Sequence, residues 1–70
     1  MNRLTVAGCD AWLTAIAPGR DLGSHVSYDP ADWVRREVQR ITGRPCPRRV
    51  YSYGDMRQIV ARTRAALLGR

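Results

Sequence analysis

The strongest constraint on this chain is the stretch from Asp29 to Pro47, which holds a helix start, an apolar stripe and a stop in that order. Asp29 is a natural N-cap. Pro30 suits the first helical position, where its missing N–H would be unpaired anyway, and Asp32 favours the helix's positive end. Trp33, Val34, Val38 and Ile41 then recur at the spacing that gathers side chains on one face. Arg35, Arg36, Gln39 and Arg40 fall on the other side, where Glu37 has Arg36 and Arg40 as weak partners only. Gly43 supplies the stop, with Pro45 just beyond it. Such a helix must bury its apolar face, and a chain of 70 residues offers little to bury it with. Chains of this size hide only about 60% of the surface that the unfolded form exposes. One domain spanning 1–70 is expected.

Two further helices are predicted. From Leu4 to Ala17, the residues Val6, Cys9, Leu13 and Ile16 share one face with Trp12 beside them. Gly8 weakens the first turns by about 1 kcal/mol relative to alanine, and Pro18-Gly19 ends the segment. Residues 1–7 have a short strand as their alternative. The third helix is placed from about Gly54 to Leu68, with Met56, Ile59, Val60, Thr63, Ala66 and Leu67 facing inward. Ser52 and Asp55 stand before it in a capping-box relation. The connections are long. Residues 18–29 contain Leu22, Val26 and Tyr28, which tuck under the helices, and a short strand around His25 to Tyr28. Residues 44–49 form a stiff basic linker, because Pro45 and Pro47 push the residues before them out of the helical region; a strand at Val50 to Tyr53 follows. The expected fold is mainly α: one small domain of three helices, with a minor two-stranded β element from the 25–28 and 49–53 segments.

Charge then narrows the function. There are 12 arginines, no lysine and six acids, for a formal net charge of +6 and a pI of about 10.7. Gly, Ala, Arg and Pro together make up 30 of the 70 residues, the skew that GC-rich codons produce. Codon usage explains why the cations are arginine; it does not explain their two-to-one excess over anions. That excess points toward a polyanion or an acidic protein surface.

Most other functions lack the residues they need. His25 is the only histidine, so no paired base or triad is available, and an enzyme is not expected. A metal site would have to recruit Cys9, His25 and Cys46 with an aspartate, and none of the close pairs that metal sites use is present; neither metal nor cofactor is expected. No glycine-rich phosphate loop occurs, and the long connections disfavour a helix-turn-helix. No stretch of about 18 apolar residues is present to span a membrane. Val6-Ala7-Gly8-Cys9 and Ala15-Ile16-Ala17 imitate export cleavage sites, but neither follows an apolar stretch of the required length. A cytoplasmic protein is therefore expected, with Cys9 reduced in the core and Cys46 reduced on the surface.

The candidate contact residues are Arg36, Arg40, Arg44, Arg48 and Arg49, with Tyr51 and Tyr53 close behind. Arginines neutralise phosphates, and tyrosine rings stack on unpaired bases. Each also has a plainer role, the arginines as a solvated helix face and the tyrosines as core. Arg57, Arg62 and Arg64 do not share one face and read as solvated; Trp12 and Trp33 read as core. The leading expectation is a non-enzymatic module that engages nucleic acid or a nucleoprotein complex. Its rival is a small protein–protein inhibitor or adaptor of the anti-CRISPR or antitoxin kind that blocks a larger host machine. So small a core also admits a homodimer.

Overall fold

In a computed structural model of the chain, residues 2–15 and 27–69 are described. They form α1 (Val6–Ala15), β1 (Ser27–Tyr28), α2 (Asp32–Thr42), β2 (Tyr51–Ser52) and α3 (Tyr53–Leu68). This is the mainly α, three-helix domain that the sequence predicts. The two short strands pair antiparallel, Ser27 opposite Ser52 and Tyr28 opposite Tyr51. His25 and the residues expected to end the first helix lie outside the described residues.

Each helix has a local reason for its limits. Thr5 caps α1: its hydroxyl accepts from the Gly8 N–H at 3.0 Å and its carbonyl from the Cys9 N–H at 2.9 Å. Ser52 caps α3 by accepting from the Asp55 N–H at 3.2 Å, one half of the capping box. At the end of α2, Gly43 takes φ +70° and its N–H closes on the Gln39 carbonyl. That left-handed turn is cheap only for glycine. The start of α2 departs from expectation. Asp29 is not its cap, because the helix begins at Asp32, behind Ala31, with no side-chain cap bond. Tyr28 is held extended by its pairing with Tyr51, and Pro30 lines an apolar groove instead of opening the helix. Asp32 still occupies the first turn, where it pairs with Arg35.

The helices meet through α3. Cys9, Val38, Cys46, Tyr51, Met56 and Val60 form the buried cluster, with Leu4, Trp12, Leu13, Tyr28, Val34, Ile59 and Leu67 packed against it. α1 runs antiparallel to α3 and is tied to it at two points. Arg57 donates to the Leu13 carbonyl at 3.1 Å, one of the carbonyls left open at a helix end, and Arg64 pairs with Asp10. Both arginines therefore serve the fold. Trp12, Tyr28 and Tyr53 make a ring cluster with centroids 5.3–6.5 Å apart, fastening β1 and the start of α3 to α1. By contrast, the backbones of α1 and α2 each approach α3 more closely than they approach one another.

Glu37 corrects a second expectation. Its carboxylate is no weak surface partner: it is 8% exposed, accepts from Arg40 at 2.7 and 3.0 Å, and accepts from the Leu4 N–H at 3.0 Å. The bonds from Arg40 and Leu4 hold its pKa down to about 2, against an ordinary 4.5. Between those values the unfolded chain takes up a proton that the folded chain refuses. The stability Glu37 contributes is thus complete above about pH 4.5 and lost as pH falls toward 2. Thermal melts should show the parent losing stability over that window while Glu37→Gln, less stable at neutral pH, follows a flatter curve. Parallel curves would contradict this role.

Candidate nucleic-acid interface

The linker from Arg44 to Val50 does not stream away from α2; it folds back under it. Thr42 donates its hydroxyl to the Val38 carbonyl and accepts from the Arg44 N–H, while the Cys46 N–H donates to the Gln39 side-chain oxygen at 3.0 Å. Tyr51 donates to the Pro47 carbonyl at 2.6 Å, and its hydroxyl lies 3.5 Å from the Cys46 sulfur. These bonds draw Cys46 inward to 3% exposure. The surface position expected for Cys46 is thereby overturned. Both thiols are free and buried. For Cys9, burial and then the neighbouring Asp10 push the pKa up. Thiol reagent should label both cysteines slowly in the native protein and at once in denaturant. Fast labelling of a single thiol would place Cys46 back at the surface.

Folding back creates a groove of about 290 Å³ between the linker and α3. Val38 and Ile59 line its apolar part, Pro45, Cys46 and Pro47 form one wall, and Asp55, Gln58 and Arg62 supply the other from one face of α3. Three arginines line it, Arg44, Arg49 and Arg62, against one acidic residue, Asp55. All three arginines are exposed. Arg49 is held in position, its guanidinium lying over the Tyr51 ring at 4.1 Å from the centroid.

The residues singled out in the sequence thus separate. Arg44 and Arg49 belong to the groove, and Arg48 is exposed on the same linker. Arg40 engages Glu37, and Arg36 borders a different hollow with Asn2, Arg3, Trp33 and Glu37. Neither tyrosine offers a stacking platform. Tyr51 is 2% exposed, its pKa raised by that burial and by the bond with Cys46, and its ring carries Arg49. Tyr53 is half-buried in the aromatic cluster, and its buried hydroxyl has no partner among the described residues. Sequence reasoning missed Arg62. Its only available signal was its place seven residues after Asp55, two turns along the same face of α3.

Among the described residues no three His, Cys, Asp or Glu side chains gather as a metal site, and no helix is long and apolar enough to cross a membrane. Fold and groove together define a small three-helix domain with a cationic cleft. Compared with known proteins, the chain matches no family model, no curated protein sequence and no solved structure.

Proposed function

We propose that this domain is a non-catalytic module that binds nucleic acid, alone or within a nucleoprotein complex, by its phosphates. The observation that carries this reading is the convergence of Arg44, Arg49 and Arg62 from two separate segments on one groove, with Arg49 pre-positioned on Tyr51. Guanidinium groups match phosphate oxygens with paired N–H donors, and a group already held in place loses less entropy on binding. Arg48 on the same linker extends the cationic surface. With both tyrosine rings committed to the fold, recognition rests on the backbone and is tolerant of sequence. Anisotropy titrations with single- and double-stranded probes at several salt concentrations test it. Both probes should bind at low salt and weaken steeply as salt rises. Absence of binding at low salt would refute the reading. The rival, a protein partner, draws support from a different part of the molecule.

A further inference from the structure

Because the backbones of α1 and α2 each approach α3 more closely than one another, an apolar groove of about 280 Å³ remains between them. Trp12 stands on one side and Trp33, Val34 and Val38 on the other, over Met56 and Val60 of α3. An apolar cavity of about 150 Å³ takes one benzene ring, so this one has room for about two large apolar side chains. Gly8 lies on the α1 wall. A side chain there would meet only the Thr5 hydroxyl, at 3.4 Å, so the wall is low at the point where another backbone would pass. The rim is cationic. Arg3 borders the groove, and Trp33 leads from it into the adjoining hollow, which Arg3 and Arg36 flank. Of the acids nearby, Glu37 is engaged by Arg40 and Leu4 and Asp32 by Arg35, while Asp29 is exposed between Tyr28 and Pro30, away from Arg36.

We propose that this groove docks an acidic amphipathic helix of a partner protein, which inserts two apolar side chains one turn apart and sets its carboxylates against Arg3 and Arg36. The apolar interior supplies the anchors' burial, and the rim selects the sign of the partner's charge. The site is separate from the arginine groove and does not depend on nucleic-acid binding.

The probe is a blocked 14-residue helical peptide with leucines at i and i+4 and glutamates on its polar face, titrated against the parent protein while Trp12 and Trp33 fluorescence is followed. Saturable binding is expected, weakened about tenfold or more by each Leu→Ala change in the peptide and by lysine in place of glutamate. Gly8→Leu, which raises the α1 wall and improves helix propensity, should keep the circular-dichroism spectrum and lose the peptide. Arg3→Glu with Arg36→Glu, both exposed positions, should reverse the preference between the glutamate and lysine peptides. Gln replacements at Arg44, Arg49 and Arg62 should leave peptide binding as it is. No saturable signal up to about 1 mM peptide overturns the proposal. So does a charge preference that survives the Arg3 and Arg36 exchange. Concentration-dependent self-association that Gly8→Leu abolishes would instead make a second copy the occupant, and would equally overturn it.

Discussion

Val38→Asp should leave the chain without a cooperative thermal transition. Val38 is 5% exposed and lines both the arginine groove and the apolar groove, so it is the partition between them. A carboxylate there would be taken largely out of water into the core cluster of Cys9, Cys46, Tyr51, Met56 and Val60, none of which carries a positive charge to pair with it. Burying an unpaired charge costs several kcal/mol even after the group neutralises itself by taking a proton. Domain stabilities are about 5–15 kcal/mol, and a chain with this little core belongs at the low end. The penalty therefore matches the total. Val38→Ala is the control: it removes two methyl groups, costs about 2 kcal/mol, and should still melt cooperatively at a lower temperature. A circular-dichroism melt of Val38→Asp that overlays the parent's would show that this side chain is not in the core.

The second large effect is expected when Arg44, Arg49 and Arg62 are replaced together by glutamine. If each contacts one phosphate, the plot of log affinity against log salt should flatten by about 2 to 3 units. At about 1 kcal/mol for each exposed contact, affinity at low salt falls about a hundredfold, on single and double strands alike. The fold should persist, because all three side chains are exposed. Arg36→Gln should have much less effect, since Arg36 borders the separate hollow beside Arg3. An unchanged slope in the triple variant would remove the groove from the binding surface. Glutamine at Arg49 alone also tests the seat on Tyr51: the slope should change by a single contact while Tyr51 stays in the core.

How much of this was legible in the sequence depends on the range of the interactions. The stripe of α2 was readable because residues three and four apart must share a face, and Gly43 because the stop needs a left-handed residue, which it supplies at φ +70°. Ser52 and Asp55 announced the start of α3 for the same local reason. Three-helix architecture and a short two-stranded element from the 25–28 and 49–53 segments followed from pattern and turn chemistry; its register, Tyr28 opposite Tyr51, came only with the structure. What escaped is what joins distant residues. Cys46 between two prolines reads as surface until the Gln39 side chain and the Tyr51 hydroxyl fold the linker inward. Glu37 reads as a solvated acid until the Leu4 N–H, 33 residues away, reaches its carboxylate. Asp29 fits a cap in sequence, but the strand pairing of Tyr28 keeps the chain extended past it. The site divided along the same line. Arg44 and Arg49 were legible as neighbours on one linker; Arg62 joins them only once α3 is packed. Five arginines close in sequence read as one surface, and the fold distributes them over several.

The dependence of α1 and α2 on α3 sets the order in which this protein can be made. Synthesis runs from α1 to α3, so the two helices that emerge first lack the element both approach most closely until the third appears. An isolated helix of ten or eleven residues is below the length that holds itself helical in water. The pairing of Tyr28 with Tyr51 and the bond from Arg64 to the Asp10 side chain also wait for the later segment. This domain therefore stays open until its third helix is made, with α3 as the template on which the earlier helices condense.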